Sequence, residues 1–529
     1  MNVVFVSPHF PEYYHNFCSR LKDRGVNVLG IGDCPYDMLS GETKNSLTEY
    51  YYVGSLENYD EVYRACAYFS SHYGKIDWIE SENEYWLELE ATLRRDFNVT
   101  TGPQIQDMRW MKYKSAMKEV YKSAGLKVAD YIKLDTLDEA LEFTKKIGYP
   151  VIVKPDNGVG ASHTYKLKND EEFKDFYNHK QDYIDYIVED FVPGDVVTFE
   201  GITDKDKNIL FSTSHVMDTS IMDNVNDASD VYFHSEPVEG KAIYEEGEKV
   251  VKAFDTRSRF FHFEFIKLAE DKQGLGRKGD LVPLEVNMRA PGAFIPDMMN
   301  YAYDVDTYTI WADMMIYNKC FYEIERKYYV GYVGRRLGID YELSNAEAAD
   351  KFKEYIKIEA DIPQVLAQAE GNHIFIFRAK TKAKLTEITK ALIAHKKKKA
   401  APKKKAAPKK TTAKKTTKKT AAAKTTTKTT TKKAAKPVEK KAEPVKEVVK
   451  PVEKKAEPVK EVVKPVEKKA EPAKETAKTV EKKAEPVKET VKPVEKKAEP
   501  VKEEAKPATK KPVRARKTTK KPRHKAKKR

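Results

Sequence analysis

Aromatic residues stop abruptly within this chain: none follows Phe377 in a sequence of 529 residues. From His395 onward the composition is almost entirely Lys, Ala, Pro, Thr, Glu and Val. Such a segment cannot bury enough apolar surface to offset the conformational entropy that it would lose on folding. We therefore predict that the folded part ends near residue 394, which is still long enough for several lobes with sizeable cores.

The charge divides at the same place. Residues 395–529 carry 50 lysines and arginines against 16 acids, a net charge of +34, whereas the whole chain has only +15. The preceding part is consequently about −19. A basic isoelectric point near 9.1 is thus a property of the tail, and it does not indicate that the folded part binds DNA.

The tail contains a 14-residue repeat over residues 436–505, between the basic stretches 396–435 and 506–529. Its prolines interrupt any helix, so the repeats predict an extended spacer rather than a solenoid. We expect the basic stretches, which resemble lysine-rich histone tails, to bind DNA, RNA or another polyanion without sequence preference, through counterion release. An inert solubilising spacer is the alternative.

Two patterns predict the fold class of the remainder, an α/β lobe plus an α+β body. Over residues 1–108, short apolar runs alternate with amphipathic stretches, as in a doubly wound parallel sheet. Over residues 109–322, strands are interleaved with helices and hairpins, which predicts an α+β domain. Residues 323–394 predict a smaller α+β subdomain, and residues 395–529 a disordered tail.

A glycine-containing loop follows the apolar strand that ends at Lys154. It contains Gly158, Gly160 and Ser162, and another strand begins at Thr164. Backbone amides and a lysine in such a loop can enclose a polyphosphate. The loop lacks the Gly-Lys-Ser/Thr of a P-loop, and an ordinary hairpin turn is the alternative interpretation.

Carboxylate and amide side chains occur on two later strands. Glu285, Asn287 and Arg289 face one side of the second strand because side chains alternate along it, and Glu264 lies on the first. Glu264, Glu285 and Asn287 offer the hard oxygen ligands that suit Mg²⁺. A solvated sheet face is the alternative, but the flanking Phe, Leu and Val residues disfavour it.

These motifs, in this order, resemble the ATP-grasp superfamily, which includes biotin carboxylase, the large chain of carbamoyl-phosphate synthase and the amino-acid ligases. The motifs are Lys114, the Lys154 loop, Glu189-Asp-Phe-Val-Pro-Gly194, Glu264 and Glu285-Val-Asn-Met-Arg289. The resemblance implies a pre-ATP-grasp lobe, then an ATP-grasp domain of two subdomains with a hinge near 189–194.

The resemblance also implies a role for each motif. Lys114 and Lys154 would bind the phosphates of ATP, and the loop with Gly158, Gly160 and Ser162 would cover them. The adenine would meet Glu189, Asp190 and Val192. Asp195 stands in for the ribose-binding acid, because Val196 occupies the usual position. Glu264, Glu285 and Asn287 would ligate Mg²⁺ or Mn²⁺, and the catalytic residues would be Lys154 and Arg289.

The implied activity is a Mg-ATP-dependent ligase, in which a carboxylate becomes an acyl phosphate and an amine or thiol displaces the phosphate. Its partners would be a small-molecule carboxylate and nucleophile, with a homodimer left open. One alternative is a nucleic-acid-associated protein whose grasp domain binds ATP without turnover. A biotin-carboxylase-like enzyme is another, which the lack of a biotinyl carrier sequence disfavours.

The segment between His215 and His234 contains several acids and is predicted to be a loop facing the acceptor substrate. They are Asp218, Asp223, Asp227 and Asp230. Their charge suggests a cationic group on the substrate, and a plain solvated loop is an equal alternative. His163 and His262 stand beside the phosphate loop and the metal strand, so either could take part.

Four scattered cysteines, without metal-ligand spacing, predict free thiols in a reducing compartment. No signal peptide and no membrane-spanning stretch are expected. The predicted location is therefore the cytoplasm, with association to the nucleoid or another polyanion through the tail.

Overall fold

The computed structural model describes residues 1–158, 162–218 and 229–396. They all belong to one compact unit. Gly160, Asp223, Asp227 and the tail from residue 397 lie outside the described residues, so what the sequence predicts for them stays a prediction.

The N-terminal lobe contains a parallel sheet of four strands in the order β3-β2-β1-β4. Every residue of its central strand β1 is buried, because helices cover both faces. The predicted doubly wound lobe is confirmed. Its strands are β1 (Asn2–Val6), β2 (Asn27–Gly32), β3 (Glu49–Tyr52) and β4 (Trp78–Glu80), and its helices are α1 (His15–Lys22), α2 (Gly41–Ser46), α3 (Tyr59–Tyr73) and α4 (Leu87–Asp96).

A second, antiparallel sheet follows, with the order β5-β8-β6-β7. Its buried face packs Val151, Val153 and Val188 against Phe173. Helices α5 (Met108–Lys112) and α6 (Lys114–Ser123) precede it. Its elements are β5 (Tyr131–Lys133), α7 (Leu137–Ile147), β6 (Val151–Pro155), β7 (Tyr165–Leu167), α8 (Asp170–His179) and β8 (Tyr186–Asp190).

The largest sheet among the described residues has eight antiparallel strands in the order β13-β12-β9-β10-β11-β14-β16-β15. Its strands are β9 (Gly194–Thr203), β10 (Ile209–Met217), β11 (Val231–Glu236), β12 (Arg259–Leu268), β13 (Leu281–Asn287), β14 (Tyr329–Arg335), β15 (Ile356–Asp361) and β16 (His373–Ala379). The helices of this region are α9 (Ala242–Ala253), α10 (Ile295–Tyr303), α11 (Thr307–Tyr317), α12 (Asn345–Phe352), α13 (Gln364–Glu370) and α14 (Lys382–Leu392).

Strand β11 corrects part of the loop predicted between His215 and His234, of which residues 219–228 lie outside the described residues. The end of β10 and the whole of β11 are paired strands, and β11 also pairs with β14. Val231 and Phe233 are buried at alternate positions, but His234 and Glu236 make the segment look polar in sequence. Pairing with a strand about 100 residues later decides its conformation, and the sequence pattern alone does not reveal it.

A left-handed residue separates the consecutive helices α10 and α11. Asp304 adopts a left-handed conformation with φ of 53°, which ends α10 before α11 begins. Helix α11 packs on the N-terminal lobe. The ring of Phe17 in α1 lies 4.8 Å from that of Tyr308 and 5.1 Å from that of Trp311. This contact fixes the lobe against the large sheet.

All four cysteines are free, as the sequence predicts. Burial raises the pKa of the Cys66 thiol to about 12, so it stays protonated and unreactive. Across the parts of the chain that the structure describes, no helix combines the length and the apolar character needed to cross a membrane.

Candidate active site

A cavity of about 740 Å³ collects most of the residues that the sequence singles out. Its walls come from α6, from the β6–β8 pair, from β12 and β13, and from the end of α13. The predicted residues that line it are Lys114, Lys154, Gly158, Ser162, Glu189, Asp190, Val192, Asp195, Glu264, Glu285, Asn287 and Arg289. Residues 175 positions apart in the chain therefore face one space.

Two lysines hold the carboxylate of Glu189 from opposite sides. Lys154 Nζ lies 3.0 Å from Glu189 Oε2, and Lys118 Nζ lies 3.0 Å from Glu189 Oε1. The adjacent strands β6 and β8 bring Lys154 to Glu189, whereas Lys118 comes from α6. Lys118 is not among the residues that the sequence motifs predict, although it stands one helical turn after Lys114 and so lies on the same helix face.

The three groups are buried, and their charges depend on one another. Burial alone would raise the pKa of Glu189, yet the charges of Lys118 and Lys154 lower it to about 2. Burial lowers the pKa of Lys118, against the opposing effect of Glu189. This ion triplet is therefore a fixed charged wall of the cavity rather than a set of free side chains.

Lys114 connects the glycine-containing loop to the strand β13. Its ammonium group donates to the carbonyl of Gly158 at 2.8 Å and to Glu285 Oε1 at 3.1 Å. The start of α6 is held by Asp156, which accepts hydrogen bonds from the backbone N–H and the hydroxyl of Ser115, each at 2.7 Å. The lysine therefore points into the cavity at a defined position.

The carboxylates of Glu264 and Glu285 are cross-strand partners on β12 and β13, and Asn287 pairs in register with His262. Burial, together with Glu84 and Glu264, raises the pKa of Glu285, although Lys114 opposes the shift. Burial also acts to raise the pKa of Glu264, but the neighbouring His262 lowers it. Two carboxylates and an amide oxygen thus face one region of the cavity.

A buried chain of acids and histidines supports Glu264 from behind. Glu200 Oε1 lies 3.1 Å from His215 Nδ1 and 3.4 Å from His262 Nδ1, while His262 Nε2 lies 3.3 Å from Glu264 Oε1. Burial disfavours the charged imidazole, but Glu200 and Glu264 raise the pKa of His262 to about 9. The sequence does not predict a role for Glu200, because its position directly opposite His262 depends on the pairing of β9 with β12.

The N-terminal lobe holds Arg289 in place. The Arg289 guanidinium donates to Glu84 Oε2 at 2.8 Å, and the next residue, Ala290, donates its N–H to Glu82 Oε2 at 2.7 Å. Glu82 itself has a left-handed backbone, with φ of 54°. No sequence pattern links these acids to Arg289, because they lie about 200 residues away and meet it only through the packing of the lobes.

Asp190, the last residue of β8, makes hydrogen bonds within the chain through its backbone and its side chain. The Asp190 N–H donates to the carbonyl of Asp130 at 2.9 Å, and the Asp190 carboxylate pairs with Lys272 at 2.9 Å. The N–H and the carboxylate of Asp190 are therefore already engaged within the chain. Val192 and Asp195 both line the cavity.

The remaining predicted histidines and acids differ in whether they line the cavity and in whether they are paired within the chain. His262 lines the cavity, whereas His163 is exposed and outside the described lining. Asp218 pairs with His234 at 2.6 Å, and Asp230 accepts from Tyr341 and pairs with His395 at 2.9 Å. These two acids are therefore satisfied within the chain, which weakens the sequence argument that they bind a cationic substrate.

Solved structures of similar shape identify the architecture. An L-amino acid ligase from Bacillus licheniformis superposes with a TM-score of 0.55 at 14% identity, over 74% of this chain and 96% of that one. N5-carboxyaminoimidazole synthetase from Staphylococcus aureus gives 0.54 at 13% identity, over 74% and 96%. The chain has an ATP-grasp fold. This agrees with the sequence resemblance and with the order of the strands.

Sequence comparisons match the ATP-grasp part of the chain. Residues 113–209 match the family described as carbamoyl-phosphate synthase L chain, ATP binding domain. An L-arginine-specific L-amino acid ligase of Bacillus subtilis is 31% identical over 105 residues, which are 20% of this chain and 25% of the ligase. A D-alanine–D-alanine ligase of Clostridium botulinum is 34% identical over 95 residues, 17% of this chain and 31% of that enzyme. The chain thus matches about a quarter to a third of the length of these relatives.

Proposed function

We propose that the protein is a Mg-ATP-dependent ligase that converts a carboxylate to an acyl phosphate, from which an amine or thiol displaces phosphate. The observation that carries the proposal is the common cavity of Lys114, Lys154, Glu264, Glu285, Asn287 and Arg289. The ATP-grasp fold and the ligases among its relatives support the same reaction class.

In this proposal the residues act by position and charge. Lys114 and Lys154 neutralise the phosphates as the γ-phosphoryl group passes to the substrate carboxylate oxygen. Arg289, held by Glu84, faces the negative charge that develops on the acyl group. The nucleophile then forms a bond to the acyl carbon, and the C–O bond to phosphate breaks. No side-chain nucleophile is required.

The donor set fits magnesium. Mg²⁺ is usually bound by one or two carboxylates together with substrate phosphates and water, and Glu264, Glu285 and Asn287 supply two carboxylates and one amide oxygen. Among the described residues no three His, Cys, Asp or Glu side chains form a metal site by themselves. ATP phosphates would therefore complete the shell, and the bound ion would offset their charge. Mn²⁺ takes the same donors.

The remaining roles extend the proposal along the chain. We assign adenine binding to Glu189 and to backbone groups of Asp190 and Val192, ribose binding to Asp195, and phosphate covering to the loop with Gly158, Gly160 and Ser162. The ATP-grasp domain would span 109–322, between a lobe at 1–108 and a subdomain at 323–394. The enzyme would work in the cytoplasm, with the basic tail holding it on a polyanion.

The test is ADP release by the full chain with Mg-ATP across a panel of amino acids and other small carboxylic acids. We expect release to depend on a carboxylate and to fall to background in Lys154→Ala and in Glu285→Ala. Lys351→Ala and Glu323→Ala, on exposed positions, are the matched controls and should turn over normally. Undiminished turnover in both site variants would exclude this mechanism.

A further inference from the structure

The cavity is lined by an acid, Glu370, that takes no part in the proposed phosphate and metal chemistry. Glu370, the last residue of α13, lines the cavity although it lies 81 residues after Arg289. Within residues 1–158, 162–218 and 229–396, no cation pairs with its carboxylate. Burial alone raises the pKa of Glu370 to about 7, without an opposing positive charge. A partly buried carboxylate without a charged partner is costly, and an acid of this kind that faces a cavity is a candidate for a binding site.

The backbone that carries Glu370 is rigidly placed. Its carbonyl accepts a hydrogen bond from the Tyr332 hydroxyl at 2.8 Å. A Cβ atom built on Gly334 of β14 would lie only 2.0 Å from the same carbonyl oxygen, so the helix end packs directly on that strand. Gly371, with φ of 92°, ends α13 at this point. The carboxylate is thus presented by the large sheet rather than by a loose loop.

The wall beside Glu370 is apolar and aromatic. Tyr332 stacks on Phe233, with ring centroids 4.5 Å apart and planes 14° from parallel. Phe233, Val231, Met217 and Ile295 line the cavity. This surface offers contact area for a carbon chain but no further described cation or acid in direct contact with Glu370.

We propose that Glu370 binds the ammonium group of the substrate, whose carbon chain lies against Phe233 and its apolar neighbours. The ligand is therefore a primary amine attached to an aliphatic or aromatic chain. This inference rests on the proposed function for treating the ligand as a substrate. The ammonium belongs either to an amino acid, whose carboxylate reacts, or to an amine without a carboxylate that acts as the nucleophile.

The experiment is calorimetric titration of the full chain, loaded with Mg²⁺ and a non-hydrolysable ATP analogue. The probes are the L-amino acids, their N-acetyl derivatives and the corresponding decarboxylated amines. We expect at least one free amine to bind and its N-acetyl counterpart to bind at least about tenfold more weakly, since a charged hydrogen bond is lost. Binding of the amino acid alone identifies the acyl donor, and equal binding of the decarboxylated amine identifies the nucleophile.

The variant Glu370→Gln keeps the shape and removes the charge. We expect it to lose at least about tenfold in amine affinity while the affinity for the ATP analogue stays unchanged. Glu354→Gln, an exposed acid on the same C-terminal segment, is the matched control. Equal amine binding by Glu370→Gln and wild type, equal binding of N-acetyl probes, or no amine bound by the loaded protein would each overturn the proposal. The ligase proposal fails differently, by turnover that survives Lys154→Ala.

Discussion

Lys154 lies 3.0 Å from Glu189 across two neighbouring strands, and Lys118 approaches the other oxygen of the same carboxylate. Glu189 thereby sets the position of a lysine that we propose as a phosphate ligand. A shared carboxylate holds both ammonium groups in the cavity wall without a bound nucleotide. The affinity of the two ammonium groups for phosphate therefore depends on the position of the Glu189 carboxylate.

Lys118→Met should weaken nucleotide binding although the ATP-grasp motifs do not include this lysine. One oxygen of Glu189 would lose its partner, and the carboxylate would then form an ion pair with Lys154 alone. We expect the KM for ATP to rise about tenfold and the free energy of unfolding to fall by about 1–3 kcal/mol. Lys122→Met, on the exposed side of the same helix, should change neither quantity. Steady-state kinetics and urea unfolding measure both effects.

Glu84→Gln should impair the chemical step more than binding. The amide keeps the size of the side chain but weakens its charged hydrogen bond to Arg289. A small loss of alignment at a reacting group lowers the rate by about 10- to 100-fold, so kcat should fall within this range while the KM for ATP stays within about twofold. The exposed Glu12→Gln serves as control. A normal kcat in Glu84→Gln would show that Arg289 needs no support from the N-terminal lobe.

Acid should destabilise the protein through Glu189. Its pKa is lowered from 4.5 to about 2 in the folded state, so its stabilising effect is complete above about pH 4.5 and is lost as the pH falls toward 2. The shift corresponds to about 3 kcal/mol. Urea unfolding between pH 6 and pH 3 should show a steeper decline for wild type than for Glu189→Gln. Parallel declines would mean that other carboxylates govern the acid response.

Glu370→Gln should stabilise the unliganded protein at alkaline pH. Burial raises the pKa of this carboxyl from 4.5 to about 7, so its ionisation costs stability progressively as the pH rises from about 4.5 to 7. At pH 8 we expect the variant to be more stable than wild type by about 1–3 kcal/mol, with no difference at pH 4. Thermal unfolding of both proteins at pH 4 and pH 8 measures this difference in stability. A destabilised variant at pH 8 would indicate a hidden partner for Glu370.

The basic tail should bind polyanions independently of the catalytic chemistry. We expect the full chain to be retained on immobilised double-stranded DNA and to elute as salt increases, because counterion release drives such binding. A chain ending at Lys396 should flow through while keeping its ATP-dependent activity. Retention on immobilised polyphosphate tests whether the tail prefers DNA to other polyanions. Retention of the shortened chain would place the polyanion site in the folded part.

Several site residues could be predicted because their signal is local. Lys154 ends an apolar strand and precedes a glycine-containing loop, and Glu285 and Asn287 alternate on a strand with buried neighbours. Lys118 could also have been predicted from the sequence, because its spacing from Lys114 places both lysines on one helix face. Within the segment predicted as a loop, the interpretation was wrong for residues 231–234, because polar residues concealed a strand that only its pairing with β14 specifies.

The sequence by itself determined where the composition changes near residue 395, which segments form the N-terminal sheet and which lysines and acids carry charge at strand ends. Those properties depend on composition and on periods of two or 3.6 residues, which are written along the chain. The tertiary structure alone decided that Glu84 supports Arg289, that Glu200 supports His262 and that Glu370 enters the cavity without an ion-pair partner among the described residues. Each of these relationships joins distant segments, and burial, which sets their charge states, exists only once the lobes and sheets have packed together.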